Sequence, residues 1–335
     1  MQNQRRMGTW TKISHWLGIE TRPHIKVYRG FGGSEQLEIF GHVLDEGPLP
    51  VKRYSRFFLF NMAALLRLFI VKPKEGAVVK MLWDGKLVEA TTSKDGFFHL
   101  QWKPSVMPAP GNYEVEICLT TVEAARAKGV VFIPQRSKFA CVSDIDDTFL
   151  VSHSANLIKR LHVLFTRNAH TRKPFEGVAT HYRLLNEGGN PFFYVSSSEW
   201  NLYNYILEFC RFNKLPEGVY LLSQIKQLHN LLKTGQQNHA TKFTRISRVL
   251  MHYPHMRFVL LGDDTQEDPK IYRALTEHFP SQILAVYLRR VRESREDATS
   301  QLVAEIEAKG IPCCYFEHSE DAIEHSRVNG LIIKA

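Results

Sequence analysis

The residues most able to do chemistry stand close together near the middle of the chain. Asp144, Asp146 and Asp147 place three carboxylates within four positions, and Thr148 follows them. Buried carboxylates this close repel one another, and a divalent cation offsets that repulsion. The spacing also suits phosphoryl chemistry, with one carboxylate as nucleophile and another carrying protons. The alternative is an acidic turn or a helix start with Asp and Thr as capping residues.

Three further groups of reactive residues follow later in the chain. Two hydroxyls come after an apolar run, a lysine lies near the start of a predicted helix, and a second carboxylate cluster follows another apolar run. These residues are Ser196, Ser197, Lys242, Asp263, Asp264 and Asp268. Together with the first cluster they supply the components of Mg²⁺-assisted phosphoryl transfer. Taken singly, Ser196 has an alternative as a helix N-cap, and Lys242 as one of many basic helix residues.

The elements that must position these residues change character along the chain. After an N-terminal segment (1–24), short alternating runs separated by turns predict a β-sandwich over 25–135. From 136 to 335, continuous apolar strands alternate with helices, which predicts an α/β domain with a parallel sheet. Parallel strands place their ligands at their carboxyl ends, where the reactive clusters fall.

Three segments of the β-rich part receive specific predictions. The apolar segment 57–71 is predicted to be a helix buried between the two domains, with a membrane-inserting helix as the alternative. The glycine-rich stretch 30–33 is predicted to be a loop between strands. Residues 93–96 are predicted to form the turn of a hairpin, because Asp-Gly tolerates positive φ.

Composition bounds the class of partner and the compartment. The 335 residues include 43 Lys and Arg against 34 Asp and Glu, a net charge of +9, which favours an anionic partner. Five cysteines without metal-binding spacing indicate a reducing, cytoplasmic location, and no apolar run typical of a signal peptide follows the basic start. No module that combines aromatic and basic residues for base recognition is evident, so we expect no nucleic-acid partner.

The ordered motifs resemble those of a known superfamily. Asp144-x-Asp146-x-Thr148, Ser196, Lys242 and Gly262-Asp263-x(4)-Asp268 are similar to the four motifs of haloacid dehalogenase-like phosphatases. Five stretches are similar, more narrowly, to the actin-patch type of phosphatidate phosphatase, namely 143–148, 174–178, 190–198, 258–264 and 268–272. The resemblance covers about 140 to 290. It implies a Rossmann-like parallel sheet preceded by an all-β domain. Phe149 and Glu199 depart from the family pattern, and Glu199 stands where proline is expected.

The resemblance also implies roles for the reactive residues. Asp144 would attack phosphorus and form an aspartyl-phosphate, and Asp146 would protonate the leaving oxygen and then activate water. The phosphate-binding residues would be Thr148, Ser196, Ser197 and Lys242. The cofactor would be Mg²⁺, held by Asp144, Asp263 and the backbone carbonyl of Asp146. Either Asp264 or Asp268 would be a further ligand or would orient Lys242, and the choice between them stays open.

The predicted function is hydrolysis of a lipid phosphomonoester, phosphatidate to diacylglycerol. A phosphatase of a soluble phosphomonoester is the first alternative, and a non-catalytic adaptor is the second; the β-domain would bind an unknown partner. A helix predicted over 156–167 carries an apolar stripe beside basic residues, namely Lys159, Arg160, Arg167, Arg172 and Lys173. This pattern predicts peripheral docking on an anionic membrane, or else a helix packed on the sheet with solvated cations.

Overall fold

The computed structural model describes residues 19–20, 22–33, 35–48, 66–120, 125–148, 174–227 and 238–332. The chain divides into two compact units. The first contains the described residues up to Ile133, together with Glu199–Leu202 and a short segment that begins at Gln224. The second begins at Pro134 and contains the rest. The predicted domain limits at 24 and 135 stay predictions.

The first unit is built from β-strands. They are β1 (Ile19–Glu20), β2 (His24–Val27), β3 (Gly30–Gly32), β4 (Leu37–Pro48), β5 (Lys72–Pro73), β6 (Val78–Trp83), β7 (Lys86–Thr91), β8 (Phe97–Trp102), β9 (Gly111–Leu119) and β10 (Arg126–Ile133). They form one mixed sheet in the order β1-β4-β3-β10-β9-β6-β7, with β2, β5 and β8 also paired to β4. All of these described pairs are antiparallel except β3 with β10. The prediction of a β-rich region before an α/β region is confirmed.

The core of this unit follows from the two-residue period of a strand. Leu37, Ile39 and Val43 alternate along β4 and are fully buried in one apolar cluster with side chains of β2, β6, β8, β9 and β10. The opposite face of β4 is also covered. There Trp200 stacks on Tyr28 with ring centroids 4.0 Å apart, which explains why Glu199–Leu202 belongs to this unit.

Two turn predictions in this unit are wrong. Gly30–Gly32 is strand β3, because the chain there runs so close to β4 that a Cβ on Gly30 would lie 2.1 Å from the Glu38 carbonyl oxygen. The 93–96 turn does not join a hairpin: β7 pairs with β6, and β8 pairs with β4. The hairpin is β6–β7, whose two-residue turn has positive φ at Asp84 (47°) and Gly85 (74°).

Several predicted segments lie wholly or partly outside the described residues. These are most of the 1–24 segment, residues 57–65 of the apolar segment, the departure at Phe149, and the 156–167 helix with its basic residues. Within the described part of the apolar segment, Arg67–Phe69 forms a 3₁₀ turn with Phe69 buried. No helix in the described parts of the chain is long and apolar enough to cross a bilayer.

The second unit has a six-stranded sheet and helices. The strands are β11 (Ala140–Ser143), β12 (Phe192–Glu199), β13 (Gly218–Ser223), β14 (Phe258–Asp263), β15 (Ile283–Arg289) and β16 (Cys313–Phe316). The described helices are α1 (Val178–Asn186), α2 (Tyr203–Phe212), α3 (Asn238–His252), α4 (Asp268–His278), α5 (Glu296–Glu307) and α6 (Ser319–Val328). Every residue of β11, β13 and β14 is buried, which requires cover on both faces of the sheet.

The strand order of this sheet creates the place for a site. The order is β13-β12-β11-β14-β15-β16. β11 pairs in parallel with both β12 and β14, so the chain moves outward on one side of β11 and returns on the other. A crevice opens beyond the carboxyl ends of the strands at such a switch point. The α/β architecture with a parallel sheet is confirmed, and all five cysteines are free thiols.

Candidate active site

The reactive residues meet at the carboxyl ends of three adjacent strands. β11 leads into Asp144, β12 carries Ser196 near its end, and β14 ends at Asp263. The backbone N–H of Asp144 donates to the Leu261 carbonyl at 2.8 Å, which extends the ladder between β11 and β14 into the motif. The parallel sheet therefore brings together residues that are more than a hundred positions apart in the chain.

Three carboxylates and one lysine form the centre of the site. Oxygen atoms of Asp144, Asp263 and Asp268 lie within 4.8 Å of one another, and all three residues are buried. Lys242 Nζ lies 2.9 Å from Asp144 Oδ1 and also contacts Asp268 Oδ1. The cluster holds three potential negative charges, and Lys242 compensates one of them.

Gly262 permits the close approach of α4 to this cluster. A Cβ at Gly262 would lie 2.6 Å from Asp268 Oδ2 and 2.7 Å from the ring of Tyr272. Asp268 and Pro269 begin α4, and proline at that position suits a helix start. The Gly262-Asp263 pair thus places one carboxylate on β14 and leaves room for the second from α4.

Burial and the neighbouring charges shift the pKa values of the residues in this cluster. Burial raises the pKa of Asp144 well above its ordinary value, and Lys242 opposes that rise. Burial, together with Asp268, raises the pKa of Asp263 to about 7. Burial alone would lower the pKa of Lys242, but Asp144 and Asp268 outweigh it and raise that pKa. The lysine is therefore charged, and without a further cation Asp144 and Asp263 tend to retain protons near neutral pH.

Asp146 has different hydrogen-bond partners from the carboxylates of the cluster. Its Oδ2 accepts hydrogen bonds from Ser196 Oγ at 3.0 Å and Ser198 Oγ at 2.5 Å. Ser196 Oγ also accepts the backbone N–H of Ser198 at 2.9 Å. The two hydroxyls hold the Asp146 carboxylate in one orientation, which suits a group that must deliver and collect a proton. Its side chain is not part of the group that could hold a metal within the described residues.

Two threonines orient Asp263. Thr148 Oγ1 donates to Asp263 Oδ2 at 2.7 Å. The backbone N–H and the hydroxyl of Thr265 donate to Asp263 Oδ1 at 2.6 and 2.5 Å. Thr148 Oγ1 lies 3.4 Å from Asp144 Oδ2, so it also links the first carboxylate cluster to the second. Thr148 contacts carboxylates here, and its predicted role as a phosphate ligand stays a prediction.

Asp264 has a different set of partners from its neighbour Asp263. Its Oδ1 accepts the backbone N–H groups of Val291 and Arg292 at 2.9 and 3.1 Å, and its Oδ2 accepts the Tyr315 hydroxyl at 2.7 Å. Both oxygens are thus engaged in holding the segment that follows β15. Of the two alternatives left open by the sequence, Asp268 is the one whose carboxylate joins Asp144 and Asp263.

The donor set of this centre fits a hard divalent cation. The atoms available as metal ligands are all carboxylate oxygens. One of them, Asp268 Oδ2, is buried without a hydrogen-bond partner. Asp144 Oδ1 has the Lys242 ammonium as its neighbour but no hydrogen bond of good geometry. Buried acceptors left without donors are costly, and a bound cation would satisfy them. The geometry therefore suits a metal site made by Asp144, Asp263 and Asp268.

Several residues around the site were not predicted from the sequence. Ser198 was part of the serine run but was not assigned a role. Arg245, one turn after Lys242, donates to the Ser196 carbonyl at 3.1 Å and to Ser223 Oγ at 3.2 Å. Burial lowers the pKa of Arg245 to about 10. Its spacing of three residues from Lys242 on one helix face was the only available signal.

Ser197 and Glu199 are the two remaining residues singled out in the sequence. Ser197 is half-buried between Ser196 and Ser198. Glu199, which departs from the family pattern, pairs with Lys226 at 2.6 Å.

Comparisons with known proteins point to one family. Residues 139–290 match the catalytic domain of phosphatidate phosphatase APP1. Phosphatidate phosphatase APP1 of Saccharomyces cerevisiae is 28% identical over 169 residues, which is 48% of this chain and 27% of the yeast protein. An uncharacterised protein of Schizosaccharomyces pombe is 26% identical over 161 residues, 47% of this chain and 26% of that protein.

The matched relatives are much longer than this chain, and the alignment with a solved structure is weak. The chain spans about a quarter of the length of the curated relatives it matches. Among solved structures, a carbohydrate acetylesterase from Xanthomonas citri aligns over 84% of this chain and 74% of its own, at 10% identity and a TM-score of 0.28, which is too low to indicate a shared fold. The matched stretch contains every carboxylate of the site, together with Ser196, Ser198 and Lys242. Residues 139–290 are therefore similar to the catalytic domain of phosphatidate phosphatase APP1.

Proposed function

We propose that this chain is a Mg²⁺-dependent phosphatase that hydrolyses a lipid phosphomonoester, phosphatidate, to diacylglycerol. The observation that carries the proposal is the convergence of Asp144, Asp263, Asp268 and Lys242 in one buried cluster, with Asp146 and two serines beside it. The family match of residues 139–290 supports phosphatidate as the substrate. We also propose the haloacid dehalogenase-like form of the Rossmann fold for the second unit, since its strand order places the motifs at a switch point.

The proposed reaction has two displacements at phosphorus. A carboxylate oxygen of Asp144 attacks phosphorus, and the bond between phosphorus and the lipid oxygen breaks. Asp146 gives its proton to the leaving oxygen, which departs as the hydroxyl of diacylglycerol. Asp146 then takes a proton from water, and that water attacks the aspartyl-phosphate to release inorganic phosphate and restore Asp144.

The surrounding residues bind and orient. Lys242, Ser196 and Ser197 would hold the phosphoryl oxygens, with Lys242 acting as a point charge. Asp144, Asp263 and Asp268 would hold Mg²⁺, which in this site would neutralise the carboxylates and polarise the phosphoryl oxygens. Ser196 and Ser198 keep the Asp146 carboxylate aimed while it carries the proton.

The proposed location follows from the substrate and the charge. A phosphatidate phosphatase must reach a lipid headgroup, and the net charge of +9 favours an anionic surface. We therefore propose peripheral contact with the cytoplasmic face of a membrane. The partner of the β-rich unit stays a prediction.

The test compares lipid and soluble substrates directly. Release of inorganic phosphate is measured on mixed vesicles that contain phosphatidate and on a panel of soluble sugar phosphates and nucleotides, each with Mg²⁺ and with a chelator. We expect Mg²⁺-dependent release from vesicles and little from soluble esters. Faster turnover of a soluble ester would favour the soluble-substrate alternative. Absence of release from every substrate would favour the adaptor alternative.

A further inference from the structure

Arg289, the last residue of β15, is a buried cation directly behind the catalytic loop. Its side chain makes three hydrogen bonds to two separate segments. Nε donates to the Thr148 carbonyl at 3.1 Å, Nη1 to the Glu317 carbonyl at 2.9 Å, and Nη2 to Ser319 Oγ at 2.8 Å. Arg289 therefore ties the loop after β11 to the turn between β16 and α6.

Two aromatic rings lie close to the guanidinium. The centroid of the Phe175 ring lies 4.6 Å from its central carbon, and the centroid of the Phe316 ring lies 4.8 Å from it. Arg289 is only 3% exposed. Within the described parts of the chain no carboxylate lies within ion-pair distance of its nitrogens, and the nearby charges of Asp263 and Glu320 favour the guanidinium cation from farther away. Burying a cation without an ion pair is costly, so the hydrogen bonds that Arg289 makes must offset that cost.

Little of the guanidinium is left for a substrate. Nε and both terminal nitrogens donate to protein oxygens, so three of its five N–H groups are engaged, and the side chain is buried. Its contact with the site is through Thr148, whose carbonyl it binds.

The path from Arg289 to the carboxylate cluster has two steps. Arg289 fixes the carbonyl of Thr148, and the hydroxyl of the same Thr148 donates to Asp263 Oδ2 at 2.7 Å. β14 and β15 also place Asp263 and Arg289 side by side in register. The position of Asp263 thus depends on where Arg289 holds the loop.

Ser319 links Arg289 to a further segment of the chain. Ser319 Oγ receives the Arg289 hydrogen bond and donates its own to the Glu176 carbonyl at 2.6 Å. The segment that carries Phe175 and Glu176 and the start of α6 are thereby fixed relative to Arg289.

We propose that Arg289 is a positioning residue for the metal site, which holds Thr148 so that Thr148 keeps Asp263 in the orientation a divalent cation requires. This inference rests on the proposed function for its metal, but its readout is metal binding and not turnover. Partners that orient metal ligands commonly contribute about ten- to a hundredfold in metal affinity.

The test uses Mg²⁺ alone as the probe, on the full chain without substrate. Calorimetric titration gives the dissociation constant for the unchanged protein and for Arg289→Met, Arg289→Lys and Arg290→Met. We expect Arg289→Met to weaken Mg²⁺ binding about ten- to a hundredfold. Arg289→Lys should have an affinity between those of Arg289→Met and the unchanged protein, since lysine keeps the charge but lacks the planar set of N–H donors. Arg290→Met is the matched control, because Arg290 is the adjacent residue and pairs with Glu296 and Glu317 on the surface. It should leave binding unchanged.

A double-substitution cycle separates positioning from a general loss of structure. Thr148→Val removes the hydroxyl that contacts Asp263 while keeping the shape. If Arg289 acts through that hydroxyl, Arg289→Met should change Mg²⁺ affinity little in the Thr148→Val background. If its role is only structural, the two effects should multiply. Should Arg289→Met not fold, Arg289→Lys and Ser319→Ala replace it in the same cycle.

The outcomes distinguish this inference from the proposed function. Unchanged Mg²⁺ affinity in folded Arg289→Met, or multiplicative effects in the cycle, overturns the positioning role. Arg289-dependent Mg²⁺ binding in a protein that releases no phosphate supports the positioning role and rejects the phosphatase. Absence of Mg²⁺ binding in the unchanged protein overturns both.

Discussion

Asp144 and Asp146 are two positions apart, yet they contact different partners. Asp144 lies with Lys242 and the other carboxylates, whereas Asp146 lies against two serine hydroxyls. The chain turns directly after them at Asp147, whose φ of 60° is rare for a residue with a side chain. The two carboxylates thus have different surroundings, which is what a nucleophile and a proton carrier would require.

Substitution of each carboxylate by its amide should separate these two roles. Asp144→Asn should abolish phosphate release, because the amide cannot attack phosphorus. Asp146→Asn should reduce kcat about a hundred- to ten-thousandfold, the usual contribution of general acid–base catalysis. Both variants should fold, since an amide oxygen can still accept the hydrogen bonds. Circular dichroism serves as the folding control, and substantial turnover by Asp144→Asn would contradict the covalent mechanism.

The raised pKa of Asp263 predicts how stability depends on pH without metal. The folded protein holds a proton on Asp263 up to about pH 7, whereas the unfolded chain releases it near 3.8. Between these values the folded state binds more protons, so the free energy of unfolding should fall as pH rises. Asp144 shifts in the same direction and adds to the slope.

Denaturant unfolding in the presence of a chelator, repeated across this window, measures the slope. Asp263→Asn should make it shallower, because the amide has no proton to release. Added Mg²⁺ should stabilise the protein most at the upper end, where the carboxylates are ionised. An identical slope in Asp263→Asn would show that Asp263 does not titrate there.

At the level of strands and helices, side chains without a proposed catalytic role connect the ends of neighbouring strands. Asp264 binds the segment after β15 and the Tyr315 hydroxyl of β16, while Asp263 beside it faces the threonines of the site. Adjacent residues at a strand end point to opposite faces. One aspartate of the pair can therefore serve the site and the other the architecture.

Asp264→Ala should accordingly change stability and not metal binding. It would leave two part-buried N–H groups and the Tyr315 hydroxyl without their acceptor, and each such loss costs up to about 1–3 kcal/mol where water does not replace it. We expect a loss of about 2–4 kcal/mol in the free energy of unfolding, with Mg²⁺ affinity close to that of the unchanged protein. Asp268→Ala is the comparison and should weaken Mg²⁺ binding. A large loss of Mg²⁺ affinity in Asp264→Ala would return Asp264 to the metal site.

At the scale of the whole molecule, the two compact units carry different spectroscopic reporters. All α-helices that the structure describes belong to the second unit, and so does the carboxylate cluster. The described tryptophans, Trp83, Trp102 and Trp200, belong to the first. The response of each unit to a ligand can thus be followed by its own signal.

Mg²⁺ should raise the unfolding temperature seen by far-ultraviolet circular dichroism more than that seen by tryptophan fluorescence. Binding only to the folded second unit stabilises it by about 3 kcal/mol when Mg²⁺ exceeds its Kd about a hundredfold. Asp144→Asn should remove most of this shift. Equal shifts by both probes would show that the two units unfold together.

Much of the second unit was predictable from the sequence. Its strands are apolar runs bounded by polar or turn residues, and its helices end at signals such as Gly188 and Gly189, whose φ values are 80° and 79°. The apolar runs at 191–195, 218–222 and 257–261 end within a few residues of β12, β13 and β14. Strong local periodicity determines such elements, because burial on both faces leaves few alternatives.

Strand pairing in the first unit was not predictable in the same way. The Asp-Gly pairs at 84–85 and 95–96 carry the same local signal, yet only the first closes a hairpin. β8 instead pairs with β4, some sixty residues earlier in the chain. Partner choice depends on which faces must be buried together, and that is a property of the assembled sheet.

The candidate residues for phosphoryl chemistry could be recognised along the chain, because their types and order are local features. These residues are Asp144, Asp146, Ser196, Lys242 and Asp263. The folded structure was needed to show which carboxylates share a centre. It placed Asp268 with Asp144 and Asp263, and it engaged Asp264 with the backbone after β15. It also put Arg289 behind Thr148. These assignments depend on the directions of side chains from separate strands and helices, and spacing along the chain does not encode those directions.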